Sequence, residues 1–217
     1  MRRNKFSIYA FAFVFLLASF ETSAQAASTK AIDVLETLDV KGRAPKTGYT
    51  RAQFGQAWAD VNRNGCDTRN DILKRDLKSP VFKSGTRDCK VVGGTLIDPY
   101  SGKSIDFVVS TSPVIDIDHV VALSNAWQTG AFQLSIEMRT SLANDPLNLL
   151  AVESKLNRQK GDGDAATWLP PLKSYRCDYV SRQIAVKAKY GLWVTAPEKN
   201  QMKLILGKCP NQLVPVQ

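Results

Sequence analysis

The pair Asp118-His119 closes the run Val114-Ile115-Asp116-Ile117, and this stretch constrains the fold more than any other in the chain. Apolar and acidic residues in alternation suit a half-buried strand, so the pair lies where a strand stops and a site can open. His119 is the one histidine in 217 residues. A second signal begins at Pro146. Leu147 to Val152 is a short apolar run, Ser154 suits an N-cap, and a helix started there would end at Gly161. The predicted order over 114–163 is therefore strand, connection, strand, helix, with Asn148 in the second run and Asn157 in the first turn of the helix.

Two strands and a helix carrying Asp-His, Asn and Asn in that order resemble the HNH nuclease motif and its ββα-metal fold. The similarity extends over Asp118-His119-Val120-Val121-Ala122-Leu123-Ser124-Asn125-Ala126-Trp127 and Asn144-Asp145-Pro146-Leu147-Asn148-Leu149, which resemble secreted bacterial HNH proteins. Those are related to the C-terminal nuclease domain of some modification-dependent restriction enzymes. The resemblance is strongest from Val114 to Pro171. It implies an α+β domain built on a ββα-metal core with added helices and a β-hairpin. By the same resemblance His119 is the general base, Asn148 braces the loop that carries it, and Asp118 and Asn157 hold a divalent metal. The products would carry 5′-phosphates.

The chemistry asks for the same residue types. Phosphodiester hydrolysis needs a base to deprotonate water, and a neutral imidazole with a pKa near ~6.5 serves at ordinary pH. It also needs a cation to neutralise charge on the phosphoryl and leaving oxygens. The oxygen donors of Asp118 and Asn157 favour Mg²⁺, with Mn²⁺ second; zinc would want several His or Cys ligands, which the chain cannot assemble around one site. Taken singly these residues carry little: a lone histidine is more often structural, Asn148 could be a turn residue, and Asn157 could be a solvated helix-start residue. Their spacing gives them weight together.

Met1-Arg2-Arg3-Asn4-Lys5 is basic, Phe6 to Phe20 is almost wholly apolar, and Ala24-Gln25-Ala26 has the small-x-small form of a cleavage site. Residues 1–26 therefore read as a signal peptide, leaving 27–217 as a single nuclease domain with its motif core at 114–171. The apolar run is short for a bilayer, which takes ~20 residues, so no membrane span is expected in the mature protein. Segment 1–26 holds Arg2, Arg3, Lys5 and Glu21; its net +2 leaves +7 of the chain's +9 to the remainder. That balance suits a polyanion, and the expected partner is DNA or RNA. The protein is expected as a secreted or periplasmic monomer.

The four cysteines, Cys66, Cys89, Cys177 and Cys209, lie in the exported part, where two disulfides are expected. Of three connectivities, Cys66–Cys89 and Cys177–Cys209 are favoured, because each closes one local loop on either side of the motif. None has the close spacing of a metal knuckle.

The remaining elements are coarser. Helices are expected over 31–38, 49–58 (Phe54 and Trp58 on one face), 67–77, 123–130, 135–143, 177–190 and 197–206, and a hairpin over 90–97 and 104–110. In helix 177–190, Tyr179, Val180, Ile184 and Ala188 should face inward and Arg176, Arg182, Lys187 and Lys189 outward. Three cations are candidates for phosphate contacts. Arg69 lies in Cys-Asp-Thr-Arg-Asn-Asp-Ile-Leu, which resembles a segment of the secreted family. Arg158 and Lys160, beside the metal helix, suit flanking phosphates or a solvated face. An exported, metal-dependent endonuclease of little sequence specificity is the leading expectation. A catalytically inactive basic binding protein and a secreted nuclease toxin are the alternatives.

Overall fold

The strand pair at the motif is antiparallel and in the register its alternation demands. In the computed structural model, which describes residues 29–109 and 114–215, β4 (Ile115–His119) pairs with β5 (Leu149–Glu153) from Ile115 opposite Glu153 to His119 opposite Leu149. Helix α5 (Ser154–Lys160) follows β5 without a break, and Gly161 ends it at φ 55°, a left-handed conformation that glycine adopts without steric cost. Ser154 is the first residue of this helix, not its cap. Glu153 holds the cap position and makes no side-chain cap bond, while the Ser154 hydroxyl is buried. The expected signal peptide lies outside the described residues.

A second sheet, ordered β1-β2-β3 and antiparallel throughout, comprises β1 (Leu77–Phe82), β2 (Val91–Ile97) and β3 (Ser104–Val108). The predicted hairpin is β2–β3, turned by Asp98, which accepts from the Ser101 N–H and hydroxyl. The other oxygen of Asp98 accepts from Glu153 N–H at 3.0 Å, tying the hairpin to the start of α5. The sequence did not suggest β1. Pro80 argues against a strand interior, and it is tolerated because β1 is an edge strand whose pairing is irregular around it.

Helix α2 (Thr68–Asp76) is capped by the Asp67 carboxylate, which accepts from Asn70 N–H at 2.8 Å. Its last residues close the outer edge of β5: Arg75 donates to the Pro146 and Leu149 carbonyls, and Asp76 accepts from Ala151 N–H. Between β4 and β5 run α3 (Leu123–Gln128) and α4 (Ile136–Ala143), the latter capped by Ser135. Trp127 is buried there, as expected. Helix α1 (Ala31–Thr37) packs on α6 (Arg176–Lys189) and α7 (Ala196–Leu206). Thr195 and Glu198 form a reciprocal capping box at the start of α7.

Two further expectations fail for identifiable reasons. The helix predicted over 49–58 is one 3-10 turn, Arg51–Phe54. Gly55 at φ 72° stops it, packed so close to Thr140 that a Cβ would collide with its side chain, and Trp58 at φ 58° turns the chain again. Phe54 and Trp58 therefore part: Phe54 joins Tyr49 and Trp127 in the core, whereas Trp58 reaches His119. In α6, Tyr179, Val180 and Ile184 are buried as predicted, but Ala188 is exposed and Lys187 is buried. The Lys187 ammonium is satisfied by Glu198, 3.0 Å away, and by the Trp193 carbonyl, so the packed faces of α6 and α7 share a buried ion pair. Both disulfides form as expected, Cys66–Cys89 and Cys177–Cys209.

Candidate active site

A cleft of about 710 Å³ opens where β4 ends, lined by Asp116, Asp118, His119 and Asn157 on one element pair, by Arg51 and Trp58 from the segment before α2, and by Arg69 in the first turn of α2. His119 is 9% exposed. Its Nε2 lies 2.8 Å from the Ala143 carbonyl, an atom that only accepts, so Nε2 carries the proton and Nδ1 keeps the lone pair. The Trp58 ring is stacked on the imidazole, 6.2 Å between centroids at 17°. Burial pushes the imidazole down to about 4; the Ala143 hydrogen bond opposes this, and the charges of Arg51 and Lys160 add to it. The ring is neutral at ordinary pH, with one nitrogen free to accept a proton.

Asn148 is fully buried behind the loop that follows His119. Its Oδ1 accepts from Val121 N–H at 2.8 Å, and its Nδ2 donates to the Val121 and Leu142 carbonyls, each at 3.3 Å. The Asn148 carbonyl accepts from Val120 N–H at 2.7 Å. One residue thus joins β5, the residues after β4 and the end of α4, and so fixes the backbone on both sides of the imidazole.

Asp118 is held from two sides. Oδ1 is 2.9 Å from the Lys160 ammonium, and Oδ2 accepts from the Tyr100 hydroxyl at 2.5 Å. Burial raises its carboxyl, with Lys160 the main opposing influence. Asn157 donates from Nδ2 to Asp116 Oδ2 at 3.1 Å, which leaves its carboxamide oxygen to face other partners. Asp116 and Asp118 are two apart on one strand and share a face. The cleft therefore offers two carboxylates and a carboxamide, hard oxygen donors that suit Mg²⁺ or Mn²⁺. Among the described residues no group of three or more His, Cys, Asp or Glu is placed to hold a metal ion. The side chains would fill part of a shell and leave the rest to water and phosphate oxygens, the way Mg²⁺ is usually held.

Of the residues predicted from sequence, Asp118, His119, Asn157 and Arg69 come together at this cleft, with Asn148 behind it. Arg158 is exposed and is not among the lining residues. Lys160, expected at a flanking phosphate, lies instead in the interior: its ammonium is 0% exposed and spans Asp118 and the His119 carbonyl, 2.8 Å away. Asp116, Arg51 and Trp58 line the cleft as well, beyond the residues predicted from sequence. Strand alternation could have paired Asp116 with Asp118. Nothing local marks the other two, because the left-handed turns at Gly55 and Trp58 bring their segment to the site.

The family described as "GmrSD restriction endonucleases, C-terminal domain" matches over residues 67–204. The chain is also 38% identical, over 184 residues, to an "Uncharacterized secreted protein" of Arthroderma benhamiae, covering 84% of this chain and 86% of that one. That relative is fungal, whereas the sequence resemblance was to bacterial proteins. No solved structure matches. The family match contains α2, both motif strands and α5, and hence Arg69, Asp116, Asp118, His119, Asn148 and Asn157.

Proposed function

Because the chain belongs to the family of GmrSD restriction-endonuclease C-terminal domains, we propose that it is a metal-dependent endonuclease of the HNH type, hydrolysing phosphodiester bonds in DNA with little sequence preference. In this reading β4, β5 and α5 are a ββα-metal core, and residues 27–217 act as one monomeric domain. The carrying observation is His119: a buried, neutral imidazole whose Nε2–H is committed to a backbone carbonyl, leaving Nδ1 free to take a proton at the cleft. The protein acts outside the cytoplasm, in keeping with its two disulfides. No described helix is long and apolar enough to cross a membrane.

Nδ1 of His119 takes the proton of the attacking water, and the Ala143 carbonyl stabilises the imidazolium through Nε2–H. Trp58 and the Asn148 bonds hold the ring in place, so its orientation is set before substrate arrives. Asp118 and Asn157, with Asp116 beside them, would hold a divalent cation that neutralises charge on the phosphoryl and leaving oxygens. Lys160 keeps the Asp118 carboxylate charged and pointed, and Arg69 contacts a phosphate on the cleft wall.

Purified protein lacking residues 1–26, incubated with plasmid, linear duplex, single strands and RNA, should cut DNA in Mg²⁺ or Mn²⁺ and stop in EDTA. His119→Ala should abolish cutting and retain DNA binding. Undiminished cleavage in EDTA, or near-normal turnover by His119→Ala, would overturn this reading.

A further inference from the structure

Beside the cleft lies a smaller cavity of about 210 Å³, lined by Phe54, Ala57, Trp58, Leu123 and Asn144 among others. Its volume is that of roughly seven waters, the scale of one heterocyclic ring system and too small for a base pair. Arg51, Trp58, His119 and Leu123 belong to both cavities, so the two are continuous at the imidazole. The smaller one is aromatic and aliphatic, whereas the cleft is lined by charged and polar side chains. That is the division a nucleotide presents, with an apolar, stackable base joined to an anionic phosphate.

One charged group sharpens the match. Arg51 has an exposed side chain and, among the described residues, no hydrogen bond or ion pair holds its guanidinium.

We propose that this cavity receives one unstacked nucleobase of the substrate strand, next to the phosphate in the cleft, with Arg51 gripping that phosphate. The proposal rests on the nuclease reading above and narrows it. A base can enter such a slot only when it leaves the stack, so single-stranded or locally unpaired DNA is the preferred substrate over intact duplex.

The test uses protein lacking residues 1–26, in EDTA, and single-stranded oligonucleotides carrying 2-aminopurine at one position. Binding should quench the fluorophore further as it stacks on Trp58, and binding to the same label in a duplex should leave its already stacked, low fluorescence unchanged. Ala57→Trp fills the slot from an exposed position; it should abolish quenching and weaken single-strand binding about tenfold with an unchanged melting curve. If that variant does not melt like the wild type, Trp58→Leu serves instead and should likewise lose the quenching. Unquenched binding by the wild type, quenching equal in duplex and single strand, or quenching that survives both substitutions would overturn the slot. Because these readouts need no turnover, they stand or fall apart from the nuclease reading, which fails only if the wild type cleaves none of the substrates tested.

Discussion

Lys160 offers a direct contest between surface and interior chemistry. Its ammonium is 0% exposed and its partner Asp118 has a 5% exposed side chain, 2.9 Å away. Lys160→Met keeps most of the volume and removes the charge, leaving a buried carboxylate with the Tyr100 hydroxyl as its remaining side-chain partner. Losing one member of such a pair costs about 3–5 kcal/mol. At about 2–4 °C per kcal/mol for a chain of this length, the melting temperature should fall by on the order of 10 °C. The loss should depend on pH in a defined sense. Burial already raises the Asp118 carboxyl, and without Lys160 it rises further above its unfolded value. The unfolded chain then sheds the proton more readily, so the penalty grows as pH rises and is relieved as pH falls. Circular dichroism melts in EDTA at pH 5 and pH 8 would measure this. Adding Asp118→Asn to Lys160→Met removes the stranded charge and should recover much of the lost stability, whatever it does to activity. An unchanged melting temperature together with weakened DNA binding would refute the argument and return Lys160 to a phosphate.

Three further outcomes are expected. The His119 imidazole is held down to about 4 against about 6.5 when unfolded; the unfolded chain therefore binds the extra proton between those values. This contribution costs the fold nothing above pH 6.5 and removes about 3 kcal/mol as pH falls to 4. Chemical denaturation in EDTA across that window should show the slope in the wild type and a shallower one in His119→Phe. Asn148→Ala strands Val121 N–H and two carbonyls in the interior, so it should lose about 2–3 kcal/mol and nearly all turnover; a melting curve and a plasmid-nicking time course test both. Peptide mapping should recover Cys66 joined to Cys89 and Cys177 joined to Cys209. Reduction should lower stability by about 3 kcal/mol for each bridge.

The motif was legible because strand alternation, a proline stop and a glycine helix end are local signals, and each acts where it stands in the sequence. Asp116 to His119 and Leu149 to Glu153 pair as their patterns require, and Gly161 ends α5. Two kinds of fact lay beyond that reach. One is partner identity: Lys160 and Lys187 look like solvated-face lysines by spacing, and only the tertiary fold supplies Asp118 and Glu198 to receive them. The other is backbone conformation that residue type does not announce. Trp58 at φ 58° costs strain that a sequence pattern cannot foresee, and that turn carries its ring over His119.

The cleft draws on residues 46–69, 115–124 and 157–162. Contacts such as Arg43 with Asp164 and Trp193 with Gly42 join residues 121 and 151 positions apart. Chains dominated by such separations close slowly, because the entropy of the long loops must be overcome before their contacts form. The disulfides span only 23 and 32 residues, so each can close within a local segment before the distant pieces meet. The Trp58 cover of His119 comes from 61 positions away, so a chain still threading through a membrane would hold the imidazole without it. On the nuclease function proposed above, hydrolytic power would emerge only once folding is complete, on the far side, where the genome of the producing cell is out of reach.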